Sequence, residues 1–173
     1  MTPLVSVCVT TYNHEPYLAD AIDAILAQRC DFGVEIILGE DCSTDGTLSV
    51  CREYAAKYPE QITLIASTEN VGWRANYRRC VEAAKGEYIA FCDGDDYWCD
   101  TTRLAEQVAL MEANPKVGLC YTLAERRDDR GELVGRFPIG EGHTLLDAML
   151  YDWCVENCTT LARREAVLAY YAT

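Results

Sequence analysis

Three carboxylates crowd into Asp93-Gly94-Asp95-Asp96, directly after the apolar run Tyr88-Ile89-Ala90-Phe91. Charges this close raise one another's pKa values unless a cation neutralises them. Mg2+ or Mn2+ takes oxygen ligands, commonly one or two carboxylates, and fills its other positions with water and phosphate oxygens. Gly94 permits a tight bend that can aim Asp93 and Asp95 into one cleft. The competing reading is a solvated acidic turn, and a position at the end of a buried strand argues against it. A second cluster, Glu40-Asp41-Cys42-Ser43, ends another apolar run. Asp41 can accept a hydrogen bond from a base or ribose donor there, or Asp41 or Ser43 can cap the helix that follows. Asn13 has a similar double reading, as a ligand contact or as a residue that orders its own turn. Tyr97 and Trp98 follow the acidic cluster and offer ring faces to sugar C–H groups, with burial in the core as the alternative. His14 and His143 are the only histidines and stand in no ligand spacing, so both are expected at the surface.

The elements that must position these residues alternate in type. Short apolar runs of strand length are separated by stretches of helical period, the pattern of βαβ units around a parallel sheet. Strands are expected at Val5–Thr10, Val34–Leu38, Gln61–Ala66, Glu87–Cys92 and Val117–Leu123. Val5–Thr10 is apolar almost throughout and reads as a central strand buried on both faces. Helices follow, the first with Pro16 near its opening turn and Leu18, Ile22, Ile25 and Leu26 on one face. Others run from Asp45-Gly46-Thr47 towards Lys57, from about Arg74 to Ala84 with Gly86 as C-cap, and through Leu104, Val108 and Met111 to Asn114-Pro115. Asp128 to Gly131 reads as a hairpin turn reaching Phe137, with short helices at Thr144–Tyr151 and Arg164–Tyr171. In parallel α/β sheets, ligands bind outside the carboxyl ends of the strands, where strand order reverses. Thr11-Tyr12-Asn13-His14, Glu40-Asp41-Cys42-Ser43, Glu69-Asn70-Val71-Gly72 and the Asp93 cluster all fall at such ends, which describes a single site.

Composition narrows the partners. The chain has 173 residues, one domain's worth, and a formal net charge of −13. Such a surface repels nucleic acid and anionic lipid, so no nucleic-acid partner is expected. If the site takes a diphosphate, a bound cation must supply the attraction. No apolar run approaches the ~20 residues of a membrane span and no signal peptide is evident, so no transmembrane segment is expected. A cytoplasmic location follows, with association to the inner membrane face left open. The ten cysteines are scattered without a CxxC pair, which argues against zinc and against a disulfide framework.

Val5-Ser6-Val7-Cys8-Val9-Thr10-Thr11-Tyr12-Asn13, Glu40-Asp41-Cys42-Ser43-Thr44-Asp45-Gly46-Thr47, Asn70-Val71-Gly72 and Gly86-Glu87-Tyr88-Ile89-Ala90-Phe91-Cys92-Asp93-Gly94-Asp95-Asp96 occur in this order. The stretch from Pro3 to Met111 resembles the family-2 glycosyltransferases of GT-A fold. The resemblance implies an α/β, Rossmann-like domain with a mostly parallel sheet flanked by helices. It implies residues 1–111 as the nucleotide-sugar-binding part and 112–173 as the start of an acceptor-side part, incomplete here. It also implies a nucleotide-sugar donor, most often a UDP-sugar, a carbohydrate or lipid-linked acceptor, and inversion at the anomeric carbon. Thr11, Tyr12 and Asn13 would then line the nucleoside pocket, Asp41 would contact the base, and Arg74 would serve the base or phosphate side. Asp93 would face the ribose or the metal, and Asp95 would ligate Mg2+ or Mn2+ bridging the diphosphate. Glu40-Asp41 stands where the family often has two aspartates, and Cys42 replaces a common glycine. The family's catalytic base lies well downstream in the acceptor-binding half, so it is expected beyond Thr173, the last residue of this sequence. Asp152 and Glu156 are the candidates for that base within the chain.

Three rival functions are weighed. A nucleotide-sugar-binding module without turnover would lack the base. A phosphoryl-transfer enzyme using the acidic cluster would leave the Tyr12 and Asp41 clusters unexplained. A dinucleotide-binding domain would need a GxGxxG turn after the first strand, and none is present.

Overall fold

The computed structural model describes residues 2–128, 130–136 and 156–171. A six-stranded sheet forms the centre. Its strands are β1 (Val5–Thr11), β2 (Val34–Glu40), β3 (Ile62–Ala66), β4 (Tyr88–Asp93), β5 (Leu119–Tyr121) and, late in the chain, β8 (Thr160–Arg163), in the spatial order β3-β2-β1-β4-β8-β5. The first four are parallel; β8 runs antiparallel to both β4 and β5. The chain builds outward from β1 to β3, then returns to place β4 on the other side of β1. That reversal puts a crevice between the carboxyl ends of β1 and β4, where open α/β sheets receive ligands.

Every residue of β1 is buried, as expected of a strand covered on both faces. Val5, Val7 and Val9 face a core shared with α1 (Leu18–Leu26) and α4 (Arg103–Ala113), and α2 (Thr47–Lys57) adds Cys51. Cys8, Ile37, Ile89 and Phe91 face the opposite side, where α3 (Trp73–Ala83) and the final helix α5 (Arg164–Tyr171) pack. Each fully buried Val, Leu or Ile contributes roughly 1.5–3 kcal/mol, so the strand ends rest on a rigid platform. Among the described residues no helix is long and apolar enough to cross a membrane.

Several expectations need correction. Gly86 is not the cap of α3, which ends at Ala83 with Ala84 already extended. Gly86 instead lets the chain pass β1: a Cβ there would stand 2.6 Å from the Ser6 amide nitrogen. The fifth strand is shorter than Val117–Leu123 because only Leu119–Tyr121 find partners on β8. The hairpin forms between β6 (Glu125–Arg127) and β7 (Leu133–Arg136), with a bulge at Arg126/Arg127, and Phe137 lies outside the described residues. The expected helix Thr144–Tyr151 also lies outside them.

Candidate active site at the carboxyl edge of the sheet

Strand register fixes the site. Thr10 pairs with Asp93 across β1 and β4, and Thr11 pairs with Glu40 across β1 and β2. The backbone then leaves the sheet in step: the Gly94 amide donates to the Thr10 carbonyl at 2.8 Å and the Asp41 amide to the Thr11 carbonyl at 3.1 Å. Three polar loops therefore rise from one edge.

Asp93 is oriented by two hydroxyls. Its Oδ1 accepts from Thr10 at 2.7 Å and from Tyr77 of α3 at 2.7 Å. Burial, and then the Asp93 charge, push the Tyr77 phenol well above its usual range, so it stays a donor. Asp95 stands outward, 52% exposed, with Oδ1 3.7 Å from Nδ1 of His14. Gly94 is packed rather than merely bent: a Cβ would lie 2.7 Å from Thr11 Oγ1 and 2.9 Å from His14 Nδ1. Both of those atoms are buried without a hydrogen-bond partner. Asp96, like Asp95, also borders the neighbouring cavity. Burial pushes its carboxyl up to about 6; a hydrogen bond with Cys158 opposes this, and the charges of Asp93, Asp95 and Glu156 add to it.

The loops after β1 and β2 are tied together. Asn13, at φ 57°, accepts at Oδ1 from the Thr44 amide at 2.8 Å, while its own amide donates to Ser43 Oγ at 3.0 Å. Glu15 accepts from the Gly46 amide at 2.8 Å. Glu40 is fully buried and takes the Ser43 amide at 2.6 Å, holding the turn at Cys42, whose φ is 61°. Asp41 is 2% exposed, and its two oxygens accept the Val71 and Gly72 amides, each at 2.9 Å. Arg79 of α3 approaches Asp41 to 3.9 Å and donates to Asn76 at 2.6 Å.

Beyond Asp96 lies a cavity of about 570 Å3. Tyr97, Arg103, Glu106, Leu123, Arg126 and Glu156 are among its walls. Trp98 closes its floor: 7% exposed, it donates from Nε1 to the Cys158 carbonyl at 3.0 Å and carries the Arg103 guanidinium 4.0 Å above its ring. Tyr97 is 54% exposed and offers its ring to solvent. Of the two aromatics, Trp98 is therefore core and Tyr97 is available to a ligand.

Residues 6–168 match the model of the family "Glycosyl transferase family 2". The chain belongs to that family. It is 41% identical over 116 residues to the uncharacterized protein Rv1520 of Mycobacterium tuberculosis, a match covering 67% of this chain and 34% of that protein. Among solved structures it resembles the mannosyltransferase PcManGT of Pyrobaculum calidifontis, in complex with GDP-Man and Mn2+, at TM-score 0.70 and 23% identity, covering 98% of this chain and 47% of that one. It also resembles S. aureus TarS 1-349 in complex with UDP, at TM-score 0.69 and 22% identity, covering 96% and 48%. These likenesses establish the GT-A fold. The chain spans about a third to a half of the length of these proteins.

Within this family 2 domain, Thr11, Asp93 and Asp95 come together at the ends of β1 and β4, and Tyr12, next after β1, is half-exposed. Asn13 takes the turn-ordering role. The capping alternative for Asp41 and Ser43 is wrong: α2 begins after Gly46 with no side-chain cap on that residue, and Asp45 accepts the Thr47 amide instead. The Arg74 guanidinium donates to the Tyr170 hydroxyl of α5 at 2.7 Å. Glu156 sits beside Asp96 at the cavity. Asp152 and His143 lie outside the described residues, and so does Thr173. Of the base candidates, only Glu156 is therefore located relative to the site. His14 is partly exposed, 24% at its side chain, with Nδ1 buried at the site. Arg79 was not anticipated at all. The signal was its place three residues after Asn76 on the face of α3 that meets the end of β2.

The residues present fit a divalent cation. Among the described residues no group of three or more His, Cys, Asp or Glu side chains is arranged to hold a metal ion by itself, so a cation here would depend on ligands from outside the protein. An exposed Asp95, an oriented Asp93 and an unpartnered Thr11 hydroxyl match an ion that takes one or two carboxylates and completes its shell from phosphate and water.

Proposed function

We propose that this chain is the donor-binding part of an inverting, metal-dependent glycosyltransferase whose donor is a UDP-sugar. The observation that carries the reading is the crevice between β1 and β4, where Asp93 is fixed by Thr10 and Tyr77, Asp95 points outward, and Thr11 Oγ1 is buried without a partner. A cation held there by Asp95 and Asp93 would neutralise the charge that develops on the departing nucleoside diphosphate. Thr11 and Tyr12 line the nucleoside side. Asp41 acts there mainly by holding the Val71–Gly72 loop, and each of its oxygens retains a lone pair for a base donor.

The cavity beside Asp96 receives the acceptor, with Tyr97 as a platform for a sugar face. In the transfer, an acceptor hydroxyl oxygen bonds to the anomeric carbon as the bond to the diphosphate oxygen breaks, and its proton passes to a base. Glu156, which borders this cavity, is our candidate to take that proton; a residue in the additional length that the relatives have is the other source. The mannosyltransferase complex with GDP-Man and Mn2+ and the TarS complex with UDP support a nucleotide site of this kind and make GDP the competing choice. A reading as a binding unit without turnover draws on the chain's span of a third to a half of those proteins. Competition between UDP and GDP for the Mn2+-loaded protein, followed by assay of sugar release from each donor, tests both. Preference for UDP with slow sugar release supports the transferase. Equal, weak affinity for both nucleotides would overturn the donor assignment, and tight UDP binding without any release would favour the binding unit.

A further inference from the structure

Nδ1 of His14 makes no hydrogen bond and faces the Asp95 carboxylate. Its backbone is fixed on both sides: its amide donates to Thr47 Oγ1 at 2.9 Å, and its carbonyl accepts from the Tyr17 and Leu18 amides, each at 3.0 Å. The ring is only 24% exposed, and Nδ1 is buried without a hydrogen-bond partner. Leaving such an atom unsatisfied costs roughly 1–3 kcal/mol, so an occupant is expected.

The geometry names the occupant. Nδ1 lies 3.7 Å from Asp95 Oδ1, beyond hydrogen-bond range. Two donors that share one cation at bond lengths of about 2.1 Å stand about 3.0 Å apart in an octahedron and about 3.4 Å apart in a tetrahedron. A small movement of the half-exposed Asp95 closes the difference. Thr11 Oγ1, also buried and unpartnered, borders the same space, and only the absence of a Cβ on Gly94 leaves that space open.

We propose that His14 is a nitrogen ligand of the cation site, binding through Nδ1 beside Asp95. This rests on the metal-dependent donor reading above. An imidazole in the shell favours transition ions over Mg2+, because nitrogen is a better donor to them than to a hard alkaline-earth ion. The site would thus favour Mn2+ through one side chain of this protein.

Pulsed EPR of Mn2+ bound to the protein with UDP tests the ligand directly. The wild type shows hyperfine coupling to a directly bound nitrogen, which changes isotopically when histidine is labelled with 15N. His14→Ala loses the coupling and about tenfold in Mn2+ affinity, with a smaller loss for Mg2+. His14→Asn, whose amide oxygen can occupy the place of Nδ1, recovers part of the affinity without the nitrogen signal. A wild-type Mn2+ signal without histidine-nitrogen coupling overturns the inference, whatever the affinity of the variants. UDP binding indifferent to chelator in the wild type would overturn the donor reading itself, before any His14 variant is made.

Discussion

Replacing Asp41 by Asn separates loop-holding from direct contact with a nucleotide. In the wild type each carboxylate oxygen accepts a backbone amide at 2.9 Å, from Val71 and from Gly72, in a site 2% exposed. Asparagine keeps the shape and can still accept one of these donors. Its amide nitrogen must then face the other N–H, so one charge-assisted bond is lost and one buried donor is left unpaired. Hydrogen bonds to charged groups contribute about 1.5–3 kcal/mol, and an orphaned buried donor costs about 1–3 kcal/mol. These terms overlap, since both count the same broken contact, so the expected loss is about 2–4 kcal/mol of unfolding free energy. Gly72 sits at φ 83° and precedes α3, so the freed loop is also expected to loosen the wall of the proposed nucleoside pocket. Urea unfolding with chelator present measures the stability term, and UDP titration with Mn2+ measures the binding term. Loss in both supports a carboxylate acting through the loop. A stability change below about 0.5 kcal/mol, the usual range of an inconsequential surface substitution, would refute the reasoning.

Gly94→Ala puts a methyl group 2.7 Å from Thr11 Oγ1 and 2.9 Å from His14 Nδ1, so a loss of about 1–3 kcal/mol in thermal unfolding and weaker Mn2+-dependent UDP binding are expected. Asp95→Ala leaves the fold intact, because the side chain is exposed and removing it relieves repulsion in the acidic loop; calorimetry should find metal-dependent binding sharply reduced. Asp96, raised to about 6 in the fold, binds its proton more tightly folded than unfolded. Its stabilising contribution is therefore complete below about pH 4 and is lost as pH rises towards 6. Asp96→Asn should flatten the fall in stability over that window, by about 2 kcal/mol after allowance for partial exposure, as read by urea unfolding at pH 4, 5, 6 and 7. Trp98→Ala removes a buried ring and the face beneath Arg103, and is expected to cost about 3–5 kcal/mol in the same unfolding assay.

What the sequence made legible is what repeats or clusters. Alternating apolar runs located β1 to β4 within a residue or two; β1, β2 and β4 are buried on both faces and leave a continuous signature, and the edge strand β3 shows as a shorter run. The acidic loop stood out because crowded carboxylates after such a run have few bland explanations. Single residues whose roles depend on distant partners were not legible. Asp41 finds its two amides 30 and 31 residues downstream, a pairing set by the order β3-β2-β1-β4 and not by any local pattern. His14 and Asp95 are brought together only because β1 and β4 are neighbours. Trp98 and Tyr97 are adjacent in sequence yet face opposite environments, which local chemistry does not decide. The antiparallel placement of β8 beside β4 was likewise hidden, since a short apolar run carries no sign of its direction.

The central claim is a donor site that requires a cation. Calorimetric titration of UDP into the wild-type protein, first with Mn2+ and then with excess chelator, tests it most directly. The account predicts saturable one-to-one binding with Mn2+ that disappears with the chelator. Binding of equal strength in both conditions, or none in either, would contradict it.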